Sequence, residues 1–123
     1  MAIGEAAGDA LTSGTDNTFV GDNAGGAVTD GNFNTGIGSA ALLVSTGGQN
    51  TAVGYQALTA NSTASYNTAI GKDALLSNTT GDNNVALGLG ALDANTTADS
   101  NTAVGNHSPV SYTHLTLPTT PYV

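Results

Sequence analysis

The 123-residue chain has no cysteine and no arginine, and its one basic residue besides two histidines is Lys72. The missing cysteines exclude a disulfide scaffold, thiol catalysis and thiolate metal sites, and leave the compartment open. Nine acidic residues against that lysine give a formal net charge of −8. Nucleic-acid binding is excluded with it, because neutralising phosphates takes clustered Lys or Arg. Aromatics make up 5% and charged residues 8% of the chain, the latter against about 25% in ordinary domains. No apolar run approaches the roughly 18 residues of a membrane-spanning helix, and the first residues do not read as a signal peptide. One small domain is all that this length accommodates.

Glycine, asparagine and threonine fill the space, and they do so periodically. Gly4, Gly21, Gly38, Gly54, Gly71, Gly88 and Gly105 stand 17, 17, 16, 17, 17 and 17 residues apart. Each sits in a copy of one phrase, clearest in Asn50-Thr51-Ala52-Val53-Gly54-Tyr55-Gln56-Ala57-Leu58. Self-similarity at a fixed period marks a solenoid or array.

Overlaying the repeats turns the chain into columns. Asn17, Asn34, Asn50, Asn67, Asn84 and Asn101 lie four residues before the glycine, and Thr follows in all but one copy, where Val85 stands. Ile3, Val20, Ile37, Val53, Ile70, Leu87 and Val104 immediately precede the glycine and read as core. Three residues after it comes Ala7, Ala24, Ala41, Ala57, Ala74 or Ala91, with Ser108 last, and Leu42, Leu58, Leu75 and Leu92 follow the alanine directly. Polar stretches such as Asn61-Ser62-Thr63 and Asn78-Thr79-Thr80-Gly81 supply turn chemistry.

One residue type at a constant period stacks on itself from coil to coil, about 4.8 Å apart if a parallel β ladder joins the coils. Asparagine, whose amide both donates and accepts, suits such a structural ladder. The glycines read as corners, where a Cβ would meet the next coil or φ is positive. The fold class is therefore mainly β: a parallel β-solenoid of about six 17-residue coils. Each coil carries one strand near Asn-Thr-Ala-Val and a second element at Ala-Leu that reads equally as strand or single helical turn. Stability in so thin a coil comes from stacked neighbours. Apolar stripes facing outward would be buried by association, so a homotrimer is the first expectation for partners.

Sharper chemistry finds little footing. Calcium needs several oxygens converging at one point, but the acids scatter: Glu5 and Asp22 share one column, Asp9 and Asp93 another, Asp82 and Asp99 a third. Gly36-Ile37-Gly38 and Gly88-Leu89-Gly90 are repeat corners and lack the lysine or strand-loop-helix setting of a nucleotide loop. His107 lies in the last partial repeat, with no Ser or Asp partnership in view. The chain reads as a non-enzyme with no catalytic, cofactor or metal residues. Threonine opens a different class. Thr12, Thr29, Thr46, Thr79 and Thr96, with Ser62, form one column, and Thr18, Thr35, Thr51, Thr68 and Thr102 another. Such regular spacing resembles ice-binding β-solenoids, although the 16-residue repeat would disturb a flat lattice.

Both ends differ from the repeat. Met1-Ala2-Ile3-Gly4 enters the phrase at its second position, and the period stops after Ser108. Residues 110–119, Val-Ser-Tyr-Thr-His-Leu-Thr-Leu-Pro-Thr, resemble an in-frame reading of the transposon-end adapter of short-read sequencing libraries. The expected division is a repeat solenoid over 1–109, open at both ends, and an adapter-derived tail over 110–123, the whole being a metagenomic fragment of a longer protein. Over residues 1–108 the phrase Asn-Thr-Ala-Val-Gly-Tyr-Gln-Ala-Leu, followed by Asn-Thr-Thr-Gly, resembles the repeats of bacterial and phage tail-fibre-domain proteins. It is similar, more loosely, to the heads of trimeric autotransporter adhesins. The resemblance implies a trimeric, elongated stalk or adhesive module on a virion or bacterial cell surface, serving as spacer or as a shallow wall for a surface glycan or receptor, with no membrane insertion.

Overall fold

The computed structural model describes residues 1–109. The chain is a parallel β-solenoid, and no helix occurs among the described residues. Its strands are β1 (Ala2–Ile3), β2 (Thr18–Val20), β3 (Thr35–Ile37), β4 (Thr51–Val53), β5 (Thr68–Ile70), β6 (Val85–Leu87) and β7 (Thr102–Val104). They pair in sequence order in one parallel sheet, each residue opposite its equivalent one coil on. The adapter-like segment 110–119 lies outside the described residues.

Strand alternation decides which residues the interior receives. The middle strand position points inward, and Phe19, Ala52, Ala69, Ala86 and Ala103 are buried there. The branched aliphatic column expected to form the core is instead on the outer face: Ile3, Ile37, Ile70 and Val104 are 56%, 39%, 42% and 70% exposed, and Val20, Val53 and Leu87 are half-buried. The reason is room. Opposite the alanines, Leu42, Leu58, Leu75 and Leu92 reach in from across the coil and are fully buried, so only a methyl group fits on the strand side. The second coil inverts this choice. Phe19 fills the strand side and Gly25 replaces the leucine, a Cβ on Gly25 falling 2.5 Å from the Phe19 ring.

The Ala-Leu element is neither strand nor helical turn. Residues two and four after the corner glycine adopt left-handed φ, as in Gln56 (56°) and Leu58 (55°), or Asp73 (59°) and Leu75 (51°). Left-handed residues at alternate positions keep the backbone polar groups directed along the axis. Gln56 N–H thus donates back to Ser39 O (3.0 Å), while Leu58 N–H donates forward to Ala74 O (2.9 Å). A left-handed non-glycine residue costs roughly 1–2 kcal/mol, which full burial of a leucine, about 1.5–3 kcal/mol, offsets.

The corner glycines have φ between 126° and 134°. In six of them a Cβ would come within 2.4–2.7 Å of the next glycine's carbonyl group, whereas Gly105 has nothing within 4 Å. The 16-residue coil does not break the sheet. Thr35, Gly36 and Ile37 pair in register with Thr51, Ala52 and Val53, and the missing residue is absorbed in the turn at Thr46–Gly47. There Asn34 Nδ2 reaches Gly47 O (3.0 Å) as Asn50 Nδ2 reaches Ala64 O (2.9 Å).

Candidate functional site

Two constructions repeat along the rod: buried side-chain ladders that tie coil to coil, and an outer wall on the strand side. The asparagines Asn17, Asn34, Asn50, Asn67 and Asn84 are buried, and Asn101 is half-buried. Their bonding is not chiefly amide to amide. Each Oδ1 accepts from the backbone N–H of the next asparagine: Asn34 to Asn17 at 2.8 Å, Asn50 to Asn34 at 3.0 Å, Asn67 to Asn50 at 3.0 Å, Asn84 to Asn67 at 2.8 Å and Asn101 to Asn84 at 2.8 Å. Each Nδ2 donates to a carbonyl of that same next coil, as Asn17 does to Gly31 O at 2.7 Å and Asn67 to Gly81 O at 2.9 Å. The side chain therefore acts as an extra peptide unit aimed at the following coil. Side-chain-to-side-chain bonds occur only as additions, from Asn50 to Asn34 (3.2 Å) and Asn101 to Asn84 (3.0 Å).

A second buried ladder runs through Ser45, Asn61, Asn78 and Asn95, and in it the turn residues Asn61 and Asn78 also tie coil to coil. Asn61 Nδ2 donates to Ser45 Oγ (2.9 Å), and Asn95 Nδ2 to Asn78 Oδ1 (2.7 Å). Leu11 and Val28 occupy the same column in earlier coils, which hid its polar continuity. The acids Asp82 and Asp99 belong to a third, more exposed series, accepting from Ser65 N–H and Asp82 N–H at 2.7 Å each. Among the described residues no three His, Cys, Asp or Glu side chains converge, and no cavity opens.

Outside the strand the surface is different in kind. The first and third strand positions project outward, giving Thr18 beside Val20, Thr35 beside Ile37, Thr51 beside Val53 and Thr68 beside Ile70. Large exposed side chains border these rows: Phe33 and Tyr66 before the strand, Tyr55 and Leu89 after the corner. Phe33 and Tyr66 sit at left-handed φ of 58° and 61°, where Asp16, Asn83 and Ser100 stand in other coils. Lys72 pairs with Asp73 and lies 5.7 Å from the centroid of Tyr55. The hydrogen bond to Asp73, then its charge, raises the Lys72 pKa above the ordinary lysine value. The other threonine column is spent on cohesion. The hydroxyls of Thr12, Thr46, Ser62 and Thr79 donate to the carbonyls of Thr29, Ser62, Thr79 and Thr96 at 2.9–3.1 Å.

The class these features define is a parallel β-solenoid repeat protein whose coils are welded by side-chain-to-backbone ladders. Models of known protein families, curated proteins and solved structures yield no match to this chain.

Proposed function

We propose that the chain is a structural segment of an elongated surface fibre or adhesin of the phage tail-fibre kind, acting as a spacer and presenting a shallow wall to its surroundings. The observation that supports this reading most is the continuity of bonding along the axis. Strand pairs, corner amides and two buried side-chain ladders join successive coils on several sides. Seven strands about 4.8 Å apart span roughly 30 Å, and load applied along the axis is shared among parallel rows of bonds. Pulling the chain from its two ends tests the proposal. Extension in steps of one coil, about 60 Å of contour for 17 residues, at forces that fall when the asparagines are replaced, is the expected result. Smooth extension without steps would overturn it.

A second reading, ice binding, is favoured by one observation. The short coil leaves the outer Thr-and-aliphatic rows in register, so Thr18, Thr35, Thr51 and Thr68 form an uninterrupted line. Thermal hysteresis in the full chain, lost in Thr51→Lys, would establish it; no hysteresis at high protein concentration would remove it.

A further inference from the structure

One column of the rod carries side chains at odds with its backbone. Asp16, Phe33, Gln49, Tyr66, Asn83 and Ser100 stand one coil apart, each just before an asparagine of the first ladder, and all are left-handed with φ of 57–61°. Short polar residues such as Asp16 and Asn83 tolerate that region, whereas a bulky ring enters it under strain. Full burial offsets the strain at Leu58, but Phe33 and Tyr66 are 58% and 54% exposed. Nothing inside the fold rewards a ring at either place, and strain held at an exposed side chain points to a ligand outside.

The two rings form a spaced pair. Gln49 N–H donates to Asn32 O (2.9 Å) and Tyr66 N–H to Gly48 O (3.2 Å), so the column rises coil by coil. Gln49 Nε2 also meets Tyr66 Oη at 3.4 Å. Two coils set Phe33 and Tyr66 about 9.6 Å apart along the axis. A polyproline II chain repeats every three residues, about 9.3 Å. From this match we infer that the column is a docking strip for an extended, proline-rich peptide, which runs along the rod with prolines three residues apart seated on Phe33 and Tyr66. Gln49 keeps a second amide proton for a carbonyl of that peptide, whose backbone has no internal hydrogen bonds.

Charge selects what flanks the prolines. Asp16 lies one coil before Phe33 in the same column, and Asp82, which accepts from Ser65 N–H at 2.7 Å, lies one coil beyond Tyr66 in the neighbouring column. Neither column contains a basic residue, Lys72 standing on the far side of the strand. The strip thus ends in an acid on either side and fits a peptide with lysine or arginine outside its prolines. A neutral glycan would stack on the same rings but leave both acids without a role. The site lies on one border of the wall, and it does not depend on a spacer role for the rod.

Titration with a short synthetic peptide, prolines three residues apart and an arginine at each end, tests this by calorimetry and amide chemical shifts. The full chain carries Pro118→Ala and Pro121→Ala for this purpose, because those two prolines have the probe's own spacing. Saturable binding with shifts centred on Phe33, Gln49 and Tyr66 is expected. Phe33→Asn with Tyr66→Asn installs the residue type of Asn83, so the denaturant midpoint should hold or rise while affinity falls about tenfold or more. Asp16→Asn with Asp82→Asn should weaken binding roughly two- to fivefold; Asn32 already makes the Asp82 type of bond, to Thr15 N–H at 2.7 Å. Tyr55→Ala, on the opposite border, should change nothing. If the double asparagine variant loses its β spectrum, the single Phe33→Asn and the shift map of the parent chain carry the test. An absence of saturable binding, shifts centred away from the column, or an affinity unmoved by the ring variants overturns the inference, as does a linear glucose oligosaccharide that binds the column when the peptide does not.

Discussion

Truncating Asn67 to alanine removes one side chain and leaves a calculable deficit. Its Oδ1 is the acceptor for Asn84 N–H at 2.8 Å, and its Nδ2 donates to Gly81 O at 2.9 Å. Gly81 O keeps a second donor, Asn78 Nδ2 at 2.9 Å, so its loss is a net bond of about 0.5–1.5 kcal/mol. Asn84 N–H has no such reserve. The residue is fully buried, and an orphaned buried donor costs about 1–3 kcal/mol. The sum, roughly 1.5–4.5 kcal/mol, is a large share of a marginal total stability of about 5–15 kcal/mol. Urea unfolding of the full chain followed by circular dichroism measures it, with the slope checked for constancy. The loss is also one-sided. Asn67's own N–H still donates to Asn50 Oδ1, so amide exchange should accelerate at Asn84 and stay slow at Asn67. A loss below about 0.5 kcal/mol, or equal acceleration on both sides, would refute a buried ladder aimed at the following coil.

Three further perturbations test the interior. Phe19→Ala should cost about 3–5 kcal/mol by opening a cavity, and adding Gly25→Leu should recover part of it by recreating the Ala-and-Leu pairing of later coils; denaturant midpoints of the single and double variants decide, and no recovery would reject that exchange. Ile70→Thr on the outer face should cost under about 1 kcal/mol in dilute monomer, whereas Ala69→Val, one residue earlier and inward, should cost about 1–3 kcal/mol by overpacking; the reverse order would restore the aliphatic column to the core. Gly71→Ala and Gly105→Ala share a positive φ of 133° and 126°, worth about 1–3 kcal/mol of strain, but only Gly71 has a carbonyl oxygen 2.4 Å from the new Cβ. Thermal unfolding should therefore show the larger loss for Gly71→Ala, and equal losses would mean that backbone strain alone sets the corner.

The period made the solenoid legible, because a 17-residue spacing of Asn, Thr and Gly has few ways to recur except as stacked coils. The inside of the strand was not legible. In Thr51-Ala52-Val53 the larger apolar residue attracts the core assignment, yet a three-residue strand carries too little alternation to correct it, and the leucine opposite has already used the volume. Left-handed residues were hidden for a related reason: Leu58, Gln56 and Tyr66 are side chains that local preference would keep out of that region. Tertiary hydrogen bonds and leucine burial hold them there. The second ladder escaped notice because Asn61, Asn78 and Asn95 read as turn residues in isolation, and only stacking gives their amides partners one coil away.

The side chains of the first asparagine ladder, Asn17 to Asn84, reach toward the C-terminal neighbour, and that direction coincides with the order in which a ribosome delivers the chain. When Asn67 leaves the tunnel, its acceptor oxygen is presented before Asn84 has emerged; 17 residues later the matching amide arrives at a site already set by the coil below. Each finished coil is thus a mould for its successor, and the contacts that close it are short in sequence and sequential in time. The ladder gives the rod a grain, along which it can be laid down turn by turn as it is synthesised.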